Sequence, residues 1–138
     1  MNNLMLKYPI IWFSQDLVDI GQSEDNITIC TKAALHSDFF KRLLLVDSEG
    51  NALKVCNAKK ICGVGPFWGY NIFLNQRIKV ELITEGEPFF VSVDEVKKYI
   101  FKSFQNWHGW ASRGDFDELK ESVAKAQTIT ELIQLIAS

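Results

Sequence analysis

The chain has little of what the common reaction signatures require. It holds three cysteines, Cys30, Cys56 and Cys62, and two histidines, His36 and His108. Cys56 and Cys62 stand six apart, and neither histidine has a second histidine or a cysteine at ligand spacing, so no metal site is expected. An odd cysteine count argues against a disulfide frame and for reduced, structural thiols in a cytoplasm. No apolar run approaches the ~20 residues of a membrane span. Met1 to Lys7 lacks a basic segment leading into a long apolar stretch, so no secretion signal is expected either. No internal repeat, low-complexity tract or interdomain linker interrupts the chain, and one domain is expected over residues 1–138. No carboxylates pair for acid–base work: Glu81, Glu85 and Glu87 lie on or just after a strand, the last two in a turn expected to face water. A Cys/His pair that meets only in space is the one catalytic arrangement left open. No catalytic residue and no cofactor is assigned.

What is present suits a globular domain: 47% apolar and 23% charged residues, close to globular averages. The net charge of −2 is unevenly spread. Residues 1–31 carry one lysine against four acids. Residues 32–80 carry eight basic residues against three acids, and residues 81–138 carry six against ten. A basic centre thus lies between acidic flanks.

That centre is also the densest β-forming stretch. Residues 41–47 read as a strand, residues 48–51 (Ser-Glu-Gly-Asn) as a turn, and residues 52–56 as the returning strand. Residues 77–83 alternate Ile78, Val80 and Leu82 with Lys79 and Glu81, a strand with one wet face. Residues 8–13 read as a strand or packed arm, residues 16–26 as a loop, and residues 26–31 as a strand with Ile27 and Ile29 on one face. Residues 31–40 suit a short helix, and residues 89–91 a short strand.

The last third is helical. Ser92 and Glu95 form a capping box, and Val93, Val96, Ile100, Phe104 and Trp107 follow at steps of three and four. This stripe places Trp107 as the seal of the core, with Gly109 ending the helix and Trp110 in the bend beyond. Asp115 caps a second helix with Phe116, Leu119, Val123 and Ala126 inward. Thr128 and Glu131 start a third with Ile129, Leu132, Ile133 and Ile136 inward. The expected fold is α+β: a mainly antiparallel sheet of about five or six strands, with two or three C-terminal helices on one face.

The unusual loop runs from Cys62 to Asn71, Cys-Gly-Val-Gly-Pro-Phe-Trp-Gly-Tyr-Asn. It is no phosphate loop. Its third glycine comes one position late for the dinucleotide fingerprint, Pro66 removes an amide, no helix follows, and Gly-Lys-Ser/Thr is missing. Two readings remain: a tight connection whose aromatics tuck onto the sheet, or a recognition loop presenting Phe67, Trp68 and Tyr70. The acidic residues Asp16, Asp19, Glu24 and Asp25 are a second candidate contact set, suited to steering a basic partner. Arg113-Gly-Asp115 reads as a helix lead-in.

The reading that follows is a non-enzymatic, cytoplasmic protein that binds another protein and has no dealings with a membrane. Compact size, acidic ends and aromatic loops are the general profile of small bacterial immunity proteins, which neutralise a cognate toxin domain by direct binding. That is an analogy of type, carried by no motif. Two other readings stand beside it. Lys59, Lys60, Arg77 and Lys79 bracket Phe67, Trp68, Tyr70 and Phe73, a mixture also found where single-stranded nucleic acid stacks in a positive groove. The third is a small-molecule pocket or enzyme near Trp107 and His108.

Overall fold

The computed structural model describes residues 6–64 and 77–138. It is α+β, with a curled antiparallel sheet and three C-terminal helices. The strands are β1 (Ile10–Ser14), β2 (Leu17–Gly21), β3 (Ile29–Thr31), β4 (Leu43–Asp47), β5 (Asn51–Gly63), β6 (Arg77–Thr84) and β7 (Phe89–Phe90). They lie in the order β2-β1-β4-β5-β6-β3, with β7 added to the start of β5. The helices are α1 (Glu24–Thr28), α2 (Lys32–His36), α3 (Val93–Asn106), α4 (Phe116–Lys125) and α5 (Ile129–Ala137). Short 3-10 turns cover Phe39–Arg42 and His108–Ser112.

β4 explains the layering. All five of its residues are buried, which a strand achieves only when both of its faces are covered. Leu44 and Val46 join Ile11, Phe13 and Ala52 under Val96, Ile100 and Phe104 of α3, Leu119 and Val123 of α4, and Leu132, Ile133 and Ile136 of α5. Leu43 and Leu45 point the other way. They meet Ile10, Val55, Ala58, Ile78, Val80 and Leu82 across the inside of the curl, closed by Ile27 and Phe40. The C-terminal helices therefore cover one face, as expected, while the short N-terminal helices plug the other. α1 touches β2 at one end of the sheet and β3 and β6 at the other, so it bridges the mouth of the curl. Gly21 makes the bridge close: a Cβ there would lie 3.2 Å from the Ile27 side chain.

The β4–β5 hairpin forms where its turn residues placed it. Gly50 takes a left-handed φ of 88°, and the wholly buried Asp47 organises the turn. The Asp47 carboxylate accepts from the amides of Glu49 and Asn51, both at 2.9 Å, from the Asn51 side-chain amide at 3.1 Å, and from the Lys7 amide at 3.1 Å. One carboxylate thus closes the turn and fastens the N-terminal arm to it. The Ser92–Glu95 capping box of α3 also forms.

Four expectations are corrected. The segment at residues 16–26 is not a loop: it contains β2, turned back on β1 by Gln15 with φ of 57°. A left-handed glutamine carries no turn signature in sequence. Residues 26–31 are strand only from Ile29. The Asn26 side chain instead accepts from the amides of Gln22 and Ser23 at 2.7 and 3.2 Å, and this local capping overrides β-branched propensity up to Thr28. Asp115 does not cap α4 through its side chain. Both of its carboxylate oxygens accept from Arg113, at 2.8 and 2.9 Å, and this bond holds the carboxyl below its ordinary pKa. Finally, α3 stops at Asn106, so Trp107 leaves the stripe. Trp107 is 42% exposed, and the core tryptophan is Trp110, 6% exposed.

Candidate functional site

The C-terminal helices cover the outer sheet face only as far as the start of β5. Lys54 opposes Leu44 on that face, and past it no described element covers β5 and β6. Paired residues across two antiparallel strands share a face. Asn57 opposes Ile83, Lys59 opposes Glu81 and Cys62 opposes Lys79, all on the outer side, while Ala58–Leu82 points inward to the core. Arg77 shares the side of Lys79 by strand alternation. The basic set expected at the centre is therefore divided. Lys59, Arg77 and Lys79 lie on one open face with Ile83, whereas Lys60 opposes Val80 and faces the other way. Irregularities at residues 55–57 and 60–62 set that division.

Where the helices end, a groove of about 410 Å³ opens. It is lined by Lys41, Arg42, Leu43, Leu44, Lys54, Val55, Glu85 and Tyr99. The Glu85 amide donates to the Lys54 carbonyl at 2.8 Å, which brings the end of β6 to the middle of β5. Tyr99 comes from α3, its ring against Phe13 at 5.2 Å. Lys41 is ion-paired with Asp38 at 3.0 Å; among the described residues Arg42 and Lys54 have no ion pair. A smaller cleft of about 150 Å³ lies at the mouth of the curl, lined by Glu24, Thr28, Ile61, Lys79, Val80, Glu81 and Leu82. Ile61 is 57% exposed there.

The residues singled out from sequence scatter. Phe67, Trp68 and Tyr70 lie outside the described residues. Asp16 is tied to α3: its carbonyl accepts from Ser103 Oγ at 2.5 Å and its carboxylate from the Asn106 amide at 3.3 Å. Asp19 is exposed on β2, and its carboxylate accepts from the Ile20 amide at 2.8 Å. Glu24 and Asp25 are exposed in the first turn of α1, where Glu24 reaches the smaller cleft. The acidic set therefore stretches from the edge of α3 to the mouth of the curl. Trp107 and His108 are both exposed, and neither lines the groove or the smaller cleft. Sequence reading missed Arg42, Lys54 and Tyr99 as a set. Only the clustering of basic residues hinted at the first two.

Among the described residues, no three His, Cys, Asp or Glu side chains converge to hold a metal ion. Tyr8 carries a buried hydroxyl with no hydrogen-bond partner among the described residues, and burial, helped by Glu24, pushes its pKa up to about 12. The three cysteines are free. Cys30 opposes Ile78 from β3, and Cys62 opposes Lys79 from β5. They flank β6 two strand spacings apart, ~9–10 Å, beyond the ~7 Å limit for a disulfide. Cys30 packs on the inner core, and burial raises its thiol pKa, whereas Cys62 is exposed. Timed alkylation read by mass spectrometry should therefore label Cys62 first and Cys30 last. Equal rates would contradict this placement.

No helix among the described residues is long and apolar enough to cross a membrane. Comparison of the chain with protein-family models, with curated proteins and with solved structures finds no match.

Proposed function

We propose that the protein is a non-enzymatic binding protein that docks another protein, in the cytoplasm, on the outer face of β5 and β6. A bacterial immunity protein neutralising a toxin domain is the type of molecule this describes. The observation that carries the reading is a sheet face with exposed Ile83 at the end of β6 beside the groove, followed along the strands by Glu81, Lys59, Lys79 and Arg77. Interfaces between proteins combine apolar contact with charged, solvent-accessible margins, and this face offers both. The segment joining β5 to β6 carries Phe67, Trp68 and Tyr70, side-chain types that dominate binding energy where they are buried by a partner. The acidic residues Asp19, Glu24 and Asp25 lie apart from this face and act on association rate through long-range steering.

The test is capture of the partner from the native cell, followed by affinity measurement with variants. Ile83→Asp is expected to weaken the complex at least about 30-fold, the effect of losing a 2 kcal/mol anchor. Since Ile83 is 42% exposed, its melting temperature should stay near that of the parent. Wild-type affinity in Ile83→Asp would rule out this face.

A second reading, single-stranded nucleic acid on the same face, is favoured by the gathering of Lys59, Arg77 and Lys79 on one side. It predicts recovery of nucleic acid rather than protein, with affinity falling steeply as salt rises.

A further inference from the structure

We infer that the groove between α3 and the β4–β5 strands is a carboxylate-binding subsite, which receives an acidic side chain from an acidic segment of the protein partner. The inference rests on the protein-docking reading and supplies the partner's chemistry. Its volume of about 410 Å³ falls within the roughly 300–1,000 Å³ of ordinary ligand sites. Arg42 and Lys54 line it from different strands and connections, and neither has an ion pair among the described residues. An arginine fork takes both oxygens of a carboxylate, and a lysine adds a point charge beside it. Lys41 stands at the same wall, already held by Asp38. Leu44 and the exposed Tyr99 offer apolar contact for the methylene stem of a glutamate.

Two features favour a carboxylate chain over a nucleic-acid backbone. Glu85 shares the lining beside Lys54, whose carbonyl accepts from its amide, so a continuous run of phosphates would pass a fixed negative charge, while a single carboxylate can be met by Arg42. Tyr99 has its ring packed on Phe13, and among the described residues it is the only aromatic in the groove lining, so those residues build no stacking platform for successive bases.

Fluorescence anisotropy with a labelled twelve-residue glutamate-rich peptide tests this directly on the full chain, without the native partner. The peptide is expected to bind at low salt, to lose at least about tenfold in affinity to Arg42→Gln/Lys54→Gln, and to bind Lys125→Gln, changed on the exposed side of α4, within about twofold of the parent. All three replaced residues are exposed, so circular dichroism should show unchanged folds. No binding, or equal binding to the parent and the double variant, would overturn the subsite. Tighter, Arg42- and Lys54-dependent binding of a dT12 oligonucleotide would overturn it in favour of nucleic acid. Failure of the docking face alone has a different signature: Ile83→Asp would retain the native partner while the peptide result stood.

Discussion

Trp110→Ala is expected to lower the unfolding free energy by about 3–5 kcal/mol, the usual range for deleting a buried large aromatic, while Trp107→Ala should cost less than about 1 kcal/mol. The two tryptophans stand three residues apart and touch edge-to-face at 5.9 Å, yet their surroundings differ. Trp110 is nearly buried, with its ring 5.0 Å from Phe104, which in turn meets Phe116 at 5.2 Å. Its indole N–H donates to Ser103 Oγ at 2.9 Å, and that hydroxyl donates to the Asp16 carbonyl. Removing the ring therefore opens a cavity between α3 and α4 and strips one partner from the serine that anchors the β1–β2 turn. Trp107 lies over Gly109, leaving no room for a Cβ there, and keeps 42% of its surface in water. Urea unfolding of both variants, followed by far-UV circular dichroism, measures the contrast. Equal losses would show that both rings are core.

Asp47→Ala is expected to cost at least about 3 kcal/mol, comparable with stripping one partner from a buried charged network. The carboxylate is wholly buried and takes its hydrogen bonds from three backbone amides and one side-chain amide. Alanine would leave those donors without an acceptor, and each buried unpaired polar group carries a penalty of about 1–3 kcal/mol. Water reaching the opened turn keeps the total below the sum. A fold of this size has only about 5–15 kcal/mol in hand, so the melting temperature should drop by about 10 °C. Asp47→Asn should fall between, since it retains one acceptor oxygen but turns an N–H toward donors. Thermal unfolding of the three proteins checks the order. An alanine variant as stable as the parent would mean that the hairpin and arm hold without this carboxylate.

The parts of the fold legible in sequence are those that local chemistry controls. Gly50 and Asn51 mark the hairpin because one must adopt a left-handed backbone and both favour turns. Ile78, Val80 and Leu82 alternate because only one face of β6 meets the core. Ser92 and Glu95 open α3, and Ile129, Leu132, Ile133 and Ile136 stripe α5. Less legible was any element whose signal is a single atypical residue. Gln15 hides β2, and the Asn26 cap converts an apparent strand into α1. The Trp107 stripe failed because periodicity does not report the residue at which a helix stops.

The candidate surface belongs mostly to tertiary structure. Sequence by itself determined that the centre of the chain is β-rich and basic, that its C-terminal third is helical, and that no reaction signature accompanies them. It could not separate Lys59 from Lys60, because irregular pairing in β5 decides which of two neighbouring lysines faces the open side. Nor could it assemble the groove, whose Lys41, Arg42, Lys54, Glu85 and Tyr99 come from separate stretches of chain. Side-chain periodicity records which face of an element avoids water. Which elements then share that face was settled by β4, buried on both sides, which drew α3, α4 and α5 over one half of the sheet and left no described element over the outer half of β5 and β6.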